Sequence, residues 1–545
     1  MADALAGTLL KWLRARFLPA VTVAAVLGGC APDLTVRRIA PAPRAVAGAA
    51  ESAEDAAALR TLSARPAAVP DERARAVAGL VDRHAAALLA ARGNAVRVEV
   101  GEGRALRLRL RRGAGPGGAG PGRFLVLEPA SRFVVRGSLE VTRVPGDGVP
   151  LVGRMRPVMP VQVPGPVPPV PIEGVHWAVT AVPVFRGGGG DGGDTLDLDL
   201  YDPRVTGRYA KPGGGSGALA MDAGPAMALS LARIGRQRRG LRGFLSDADF
   251  ASAGVYPSHQ PSLEKTPVVL VHGLISDPTD FHDLYVRLSN DPAFRQRYQV
   301  WFFYYPSSLP VPYSAMLLRE DLEEAIRRLD PGGNHPALHR AVLVGHSMGG
   351  LLSRLAVSDG GERYYGHFFR EPIDRLRLSG EQRALVRRGF FYRASPSVRR
   401  VVFVATPHHG SRLAGGMLGS LGRLLVRVPL SVRTNIGRII TDNRHAVVEG
   451  TPLKPASSLD SLSPRDPLVA AINDLPIRPD VHLHSILGDR GRGGPPERTS
   501  DGVVPYASSH LPQAESERLV PAGHTGTLQR TETAAEIQRL LLAPR

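Results

Sequence analysis

Short stretches in the first half of the chain alternate apolar with charged residues. Between residues 96 and 110, Val and Leu occupy most alternate positions and Arg or Glu most positions between them, with Gly101-Glu102-Gly103 near the centre. A period of two around a glycine-containing turn predicts a β-hairpin with one buried face. Apolar runs bounded by Gly and Pro predict further strands over 124–127, 133–143, 176–185 and 196–201. We therefore expect a small, mainly antiparallel β domain over residues 95–205.

Helical spacing flanks these strands. Residues 71–92 place Val77, Leu80, Val81, His84 and Leu88 on one face, with an acidic N-cap before them and a glycine after them. A second helical stretch is predicted over 224–245. The glycine tract between 187 and 193 is expected to be a hairpin loop, because no helix or lysine follows it at the spacing of a phosphate-binding loop.

In the second half, short apolar runs alternate with helical patterns. Buried parallel strands are predicted over 267–271, 299–304, 341–344, 398–405 and 481–487, with helices near 315–329 and 349–358 and a closing helix over 532–542. This alternation predicts an α/β fold with a mostly parallel sheet and helices on both faces.

The chain contains a single cysteine, Cys30, and its position is informative. Basic residues at 11, 14 and 16 are followed by an apolar stretch over 17–26 and then by Leu27-Gly28-Gly29-Cys30. The apolar stretch is shorter than the roughly 20 residues of a membrane-spanning helix, so it predicts a signal peptide. Its last four residues resemble a bacterial lipobox, whose cysteine receives a diacylglycerol and becomes the mature N-terminus. An ordinary signal peptide with an unrelated cysteine is the alternative.

This reading places the protein in the bacterial cell envelope as a membrane-anchored lipoprotein. Ala31 is compatible with the outer membrane, with the protein facing the periplasm. No later segment has about 18 apolar residues in a row, so no second crossing is expected. The predicted organisation is a signal peptide over 1–29, a tether over 30–69, a helix and β domain of unknown function over 70–250, and a catalytic domain over 263–545. Insertions over about 361–397 and 411–475 have the character of lids.

A formal net charge of +18 raises the question of a nucleic-acid partner. The basic residues are nearly all arginines and are scattered along the chain, not gathered in a block. We therefore expect no nucleic-acid partner, although attraction to anionic lipid headgroups would follow from this charge. The protein partner of the β domain is unknown.

The pattern that carries chemistry is Gly345-His346-Ser347-Met348-Gly349, directly after a predicted strand and before a predicted helix. In this context a strained turn exposes the serine hydroxyl at the edge of a sheet, and glycines are needed where backbone segments approach closely. Ser347 is therefore the candidate nucleophile.

A serine nucleophile needs a base and an acid that orients the base, in the chain order Ser, Asp, His. Asp501 lies in a glycine-containing loop after the strand at 481–487, and His524 lies in a loop between the last strand and the closing helix. Asp489 is the rival for the acid because it lies closer to the strand end. His510 is a weaker rival for the base because it precedes the last strand.

Two backbone amides should stabilise the oxyanion. One belongs to Met348, the residue after the nucleophile, and the other is expected from Leu274 in the loop after the strand at 267–271.

With these parts in place, residues 263–545 resemble the α/β-hydrolase superfamily, and within it the bacterial lipase and esterase-like serine hydrolases. The stretches that carry the resemblance are His-Gly-Leu at 272–274, Gly-His-Ser-Met-Gly-Gly at 345–350, Ala-Thr-Pro-His-His-Gly-Ser at 405–411, and the Asp501 and His524 loops. The resemblance implies hydrolysis of acyl-ester or lipid-like substrates without a metal or an organic cofactor. His408 and His409 lie at the end of a predicted strand, where we expect a structural turn in preference to a catalytic role.

Other activities remain open at this stage. The same three residues would serve an amidase, a peptidase or an acyltransferase, because these enzymes share the acyl-enzyme and differ in the pocket and the acceptor. A non-catalytic envelope scaffold is an alternative of another class. It would have no need of Ser347, Asp501, His524 and both glycines of the turn.

Overall fold

The computed structural model divides the chain into two compact units, Pro32–Arg233 and Ile234–Arg545. It describes residues 35–38, 49–63, 70–99, 105–114, 118–136, 143–155, 176–186, 195–204, 207–211, 214–229, 253–258, 261–274, 276, 278–307, 309–411, 430–449, 451, 462–464, 466–491 and 495–543. Cys30, the glycine tract at 187–193 and most of the helical stretch predicted beyond 229 lie outside these residues. No helix among them is long and apolar enough to cross a membrane.

The N-terminal unit is built mainly of strands. Its elements are β1 (Thr35–Arg38), α1 (Ala49–Ser63), α2 (Pro70–Ala90), β2 (Val96–Glu99), β3 (Ala105–Arg112), β4 (Phe124–Pro129), β5 (Phe133–Arg136), β6 (Arg143–Val144), β7 (Val149–Met155), β8 (His176–Arg186), β9 (Thr195–Tyr201), β10 (Arg208–Ala210), β11 (Ser216–Ala218) and β12 (Met221–Asp222). Single 3₁₀ turns occur at Pro121–Arg123 and Ala130–Arg132, and residues 224–229 are helical.

Six of these strands form one sheet in the order β2-β3-β9-β8-β7-β4. All neighbouring pairs are antiparallel except β3 and β9, which run parallel. The leucines of β3 and β9 point to one face and are buried against α1 and α2. The mainly antiparallel β region predicted from the alternation is therefore confirmed, and so is the predicted hairpin of β2 and β3.

Two parts of this unit differ from the expectation. The predicted tether contains β1, which pairs with β5, and α1, which packs on α2. Strand β7 had no counterpart among the predicted strands, because Pro150 and Gly153 interrupt its apolar pattern. Gly153 is needed there because an added Cβ would lie 2.6 Å from the ring of Phe124.

The opposite face of the sheet carries a buried ion cluster. Asp197 of β9 is fully buried, and its carboxylate accepts hydrogen bonds from Arg109 at 2.8 and 3.0 Å and from Arg111 at 2.8 Å. Burial of a carboxylate is tolerated only when it is paired in this way. The pairing fixes the register of β3 against β9.

The C-terminal unit alternates strands and helices. Its elements are β13 (Gly254–Pro257), β14 (Thr266–Val271), α3 (His282–Asn290), α4 (Pro292–Arg297), β15 (Tyr298–Tyr304), α5 (Val311–Leu329), β16 (Ala341–His346), α6 (Met348–Ala356), α7 (Glu362–Tyr365), α8 (Gly380–Phe390), β17 (Val398–Val404), α9 (Leu430–Asp442), α10 (Pro467–Asp474), β18 (His482–Gly488), α11 (Tyr506–Ser509), β19 (Ser516–Val520) and α12 (Thr531–Leu542). Short 3₁₀ turns lie at Pro278–Phe281, Leu338–Arg340, Ile373–Arg375, Arg444–Ala446, Pro496–Arg498 and Thr525–Gln529.

Its seven strands form a sheet in the order β13-β15-β14-β16-β17-β18-β19. Only β13 runs antiparallel to its neighbour, and every other pair is parallel. Helices α5 and α6 pack together on one face, where Val269 and Leu343 of the sheet are buried with Leu352 of α6. Helices α3 and α12 contact each other as a second pair. The predicted α/β fold with a mostly parallel sheet is confirmed.

We predict that Asp197→Ala destabilises the N-terminal unit by about 2 to 3 kcal/mol, because two arginines lose a buried partner. Glu99→Ala, which removes an exposed partner of Arg97 in the same sheet, should cost about 1 kcal/mol or less. Hydrogen exchange of peptides from β3 and β9, read by mass spectrometry, measures both variants. Equal protection in the two variants would contradict a stabilising role for the cluster.

Candidate active site

Ser347 lies in the tight turn between β16 and α6. Its φ of 53° and ψ of −124° are outside the regions that a non-glycine residue prefers, and such strain costs about 1–3 kcal/mol. The backbone N–H of Ser347 donates to the carbonyl of Val404 on the neighbouring strand at 2.9 Å. This bond to β17 anchors the turn at the carboxyl ends of the central strands.

The glycines on either side of Ser347 allow the backbone to approach closely. A Cβ on Gly345 would lie 2.6 Å from the carbonyl oxygen of Gly349. A Cβ on Gly349 would lie 2.1 Å from the carbonyl oxygen of Val271, at the end of β14. No side chain fits at either position, so the sequence pattern has a direct steric cause.

The side chains of Ser347, His524 and Asp501 form a continuous chain of contacts. The Ser347 Oγ lies 2.9 Å from His524 Nε2, and His524 Nδ1 lies 2.6 Å from Asp501 Oδ2. Ser347 and Asp501 are buried, while the His524 side chain is 14% exposed. The three residues come from three loops at one edge of the sheet, and 154 positions separate the serine from the aspartate.

The second oxygen of Asp501 is held by its own loop. Its Oδ1 accepts hydrogen bonds from the backbone N–H groups of Val503 at 2.7 Å and Val504 at 2.6 Å. Burial alone would raise the pKa of Asp501, but His524 and these two donors outweigh it and hold the pKa below its usual value. The carboxylate is therefore ionised and fixed in orientation near neutral pH.

Neither rival contacts these side chains as Asp501 and His524 do. The carboxylate of Asp489 accepts a hydrogen bond from the backbone of Gly491 at 2.9 Å, within its own loop. His510 lies 2.7 Å from Glu517 and stacks on Tyr506. Among the candidates named from the sequence, the structure brings together Ser347, Asp501 and His524.

The loop after β14 lies directly against the serine. A Cβ on Gly273 would be 3.0 Å from the Cβ of Ser347. Leu274 follows in the same loop and is half-buried. Met348 is the first residue of α6, where backbone N–H groups have no acceptor within the helix. The backbone amides expected to stabilise an oxyanion thus belong to two segments that border Ser347.

His346 contacts the backbone of the base, a partner that the sequence did not indicate. Its Nε2 donates to the carbonyl oxygen of His524 at 3.1 Å, and the two rings lie 4.9 Å apart. Burial, followed by the neighbouring His524, lowers the pKa of His346 to about 3, so this ring stays neutral. It therefore positions the His524 backbone without adding a second cation to the site.

A buried arginine, Arg354, contacts the turn at 405–411. Arg354 of α6 lies 3.3 Å from Nδ1 of His408 and donates to Asn473 of α10 at 2.9 Å. Burial lowers the pKa of Arg354 to about 10 and lowers the pKa of His408 well below its usual range. A neutral, fully buried His408 is consistent with the structural turn expected from the sequence. Arg354 itself had no sequence signal, because an arginine on an amphipathic helix normally predicts an exposed position.

Comparison with known proteins adds a family. Residues 268–536 match the model of the alpha/beta hydrolase family. No curated protein sequence matches this chain significantly.

Several solved structures are similar at a low level. The mature lipase BlEst2 of Bacillus licheniformis is 16% identical with a TM-score of 0.32, over 53% of this chain and 98% of that chain. Lipase 1 of Pelosinus fermentans is 14% identical with a TM-score of 0.33, over 52% of this chain and 100% of that chain. Phospholipase PlaB of Legionella pneumophila is 16% identical with a TM-score of 0.31, over 51% of this chain and 60% of that chain. These similarities are too distant to indicate a shared activity.

Strands β15 to β19, most of β14 and the strand-serine-helix turn lie within the residues that match the family, and β13 precedes them. They agree with the fold that the sequence predicted. The C-terminal unit of this chain therefore has the alpha/beta hydrolase fold.

Proposed function

We propose that the C-terminal unit hydrolyses carboxylic esters through an acyl-enzyme on Ser347, as a lipase or esterase-type serine hydrolase. The observation that carries the proposal is the unbroken chain of contacts from Ser347 through His524 to Asp501, at 2.9 and 2.6 Å. A serine hydroxyl becomes a useful nucleophile only when a base of this kind can take its proton.

The first half of the reaction forms the acyl-enzyme. Asp501 accepts a hydrogen bond from the Nδ1–H of His524, which fixes the tautomer and leaves Nε2 unprotonated and able to take the hydroxyl proton of Ser347. The serine oxygen then attacks the ester carbonyl carbon, and the electron pair of the carbonyl moves to its oxygen. The backbone amides of Leu274 and Met348 are proposed to stabilise this oxyanion. When the intermediate collapses, the alcohol leaves with the proton from His524.

The second half repeats these steps with water. His524 takes a proton from the water, which attacks the acyl carbon, and Ser347 leaves with the proton. The positive charge that forms on His524 in each half lies 2.6 Å from the Asp501 carboxylate. Because His346 stays neutral, no like charge opposes it from the adjacent ring.

We also propose that a lipid on Cys30 anchors the protein in the bacterial cell envelope, in the outer membrane and facing the periplasm. The support is the sequence Leu27-Gly28-Gly29-Cys30 after a short apolar stretch, followed by Ala31. Two or more acyl chains on one residue hold a protein to a membrane stably, whereas a single chain does so marginally. An anchor of this kind would hold the hydrolase close to lipid-like esters.

The first prediction concerns the nucleophile. Ser347→Ala should lower kcat for a short p-nitrophenyl ester by about 10⁶, because no other group can form the acyl-enzyme. Ser353→Ala is the matched control, since this buried hydroxyl lies on the same helix and bonds to the Gly349 carbonyl. A fluorophosphonate probe should label Ser347 in the wild type and in the control. Label on another residue, or turnover by Ser347→Ala, would contradict the proposal.

The second prediction compares the two aspartates. Asp501→Asn should lower kcat by about 10⁴, because an amide cannot stabilise the imidazolium and favours the wrong tautomer of the histidine. Asp489→Asn should retain most activity, because its carboxylate serves only its own loop. Both variants must melt like the wild type before their kinetics are compared. The assignment is wrong if Asp489→Asn is the inactive enzyme and Asp501→Asn keeps more than about a tenth of kcat.

The third prediction concerns the anchor. Cys30→Ser should move the protein from the membrane fraction to the soluble fraction, because the thiol that would carry the lipid is gone. Membranes are washed with high salt first, since arginines alone hold proteins to anionic headgroups. If the variant still sediments with washed membranes, lipid on Cys30 is not what holds the protein.

A further inference from the structure

A large apolar cavity lies among α5, the insertion after α6 and helix α9. Its empty volume is about 960 Å³, part of it open to solvent. Pro310 and Met316 line it from α5 and its N-terminal turn, Phe368 and Phe390 from the insertion, and Ile439 from α9. These side chains are apolar, so the lining suits a hydrocarbon.

The residues that line this cavity are different from those of the candidate active site. Its lining includes neither Ser347 nor Asp501 nor His524, and neither of the proposed oxyanion donors. Along the chain, the first lining residue is Pro310, in the loop after β15, and the last is Leu468, at the start of α10. A ligand held here is bound by contacts that do not involve the catalytic residues.

The glycine at position 389 helps to keep the cavity empty. This residue of α8 is buried and lines the cavity, yet a Cβ added to it would meet no atom within 4 Å. Its φ lies outside the left-handed region, so the backbone does not require glycine. Alanine would be favoured in a helix by up to about 1 kcal/mol. Because Gly389 has no side chain, it leaves space inside the cavity. The packing of helix α8 does not require a glycine there.

Three exposed arginines belong to segments whose backbones adjoin the aromatic wall of the cavity. Phe369 and Val447 both line the cavity and pair with each other through their backbones. Arg370 follows Phe369, and its backbone N–H donates to Ala446 at 2.7 Å. The backbone N–H of Arg377 donates to the side chain of Asn443, which precedes Arg444.

Arg370, Arg377 and Arg444 are exposed, and none forms an ion pair with a described carboxylate. Among the nearby acids, Asp374 pairs with Arg383 and Glu371 lies 3.8 Å from His445, while the exposed Asp442 accepts a hydrogen bond from Thr441. A surface with unpaired guanidinium groups attracts carboxylates and phosphates. It therefore complements an apolar cavity by favouring an anionic headgroup.

We propose that this cavity binds the hydrocarbon chain of an anionic amphiphile, with the negative headgroup at Arg370, Arg377 and Arg444. The chemical class is a long-chain fatty acid. This binding site goes beyond the proposed function. It does not depend on that function, because it can be measured on a protein that lacks the Ser347 hydroxyl.

The test uses the full-length Ser347→Ala protein and the fluorescent fatty acid cis-parinaric acid. Gly389→Leu, made in that background, should raise its Kd by about tenfold or more, since the leucine side chain occupies the space of the ligand. Gly380→Leu is the matched control, because this glycine is the exposed first residue of the same helix and has equally open surroundings. It should leave Kd unchanged. All proteins are compared in the same detergent.

The headgroup is tested with a second pair of ligands. Exchange of Arg370 and Arg377 for Gln should raise the Kd of cis-parinaric acid by about tenfold. The Kd of the uncharged parinaryl alcohol should not change. Arg97→Gln, an exposed arginine of the N-terminal unit, should change neither ligand.

Three outcomes would overturn the proposal. Equal binding to Gly389→Leu and Gly380→Leu would place the chain elsewhere, and loss of binding on fluorophosphonate labelling of the wild type would place it at Ser347. If the arginine exchanges weakened binding of the acid and of the alcohol equally, the arginines would not bind an anionic headgroup. Gly389→Leu in the wild-type background should still hydrolyse short esters. Failure of the ester-hydrolase proposal would appear in the Ser347→Ala assay and not in these Kd values.

Discussion

The close packing of four backbone segments around Ser347 is the constraint on which the candidate site depends. Strand β16 and helix α6 meet at a residue with a φ of 53°, and the end of β14 lies so close that a Cβ at Gly349 would fall 2.1 Å from a carbonyl oxygen. A residue keeps a strained backbone conformation only when its surroundings hold it there. Here they do, because the Ser347 N–H is bonded to β17 and the loop at Gly273 covers the serine from the other side.

Electrostatics complete what packing begins. Asp501 is buried, yet it keeps its charge because His524 and two backbone N–H groups contact its oxygens. His346 is equally buried and stays neutral, since nothing comparable offsets its desolvation. The surroundings of His524 thus hold one titratable neighbour, Asp501, as an anion and the other, His346, neutral. Asp501 therefore favours a positive charge on His524, and His346 does not oppose it.

The buried parallel strands could be predicted from the sequence to within a few residues, because a strand covered on both faces must be apolar throughout. The serine turn was equally clear, since its glycines follow from steric necessity. The choice between Asp501 and Asp489 could not be made from spacing, because both follow β18 and only the folding of the loop at 501–504 brings one of them to His524. The bond from His346 to the backbone of a residue 178 positions later was beyond any local pattern.

The elements missed in the N-terminal unit have a different cause. Strand β1 has four residues and no clear alternation, and its pairing with β5 spans about a hundred positions. Strand β7 contains proline and glycine, which normally mark the end of a strand. In both, tertiary contacts overrode local preference.

The apolar cavity is preformed by interactions within the insertion itself. Tyr365 stacks on Phe369 at 5.1 Å between ring centroids, and Phe368 packs against Phe390 at 5.2 Å. Aromatic pairs at these distances add stability beyond their buried area. Helix α8 begins at a capping box formed by Ser379 and Gln382, which fixes where it starts.

Arg319 of α5 ties this insertion to the body of the unit. Its guanidinium lies 3.3 Å from the ring centroid of Tyr392 and donates to the carbonyl of Arg388. Burial lowers the pKa of Arg319, and the aromatic ring partly offsets the loss of hydration by attracting the cation. Because rings and a buried cation fix the walls, the space beside Gly389 stays open without a ligand to support it. A binding site built in this way spends little free energy on ordering its walls when the chain of an amphiphile enters.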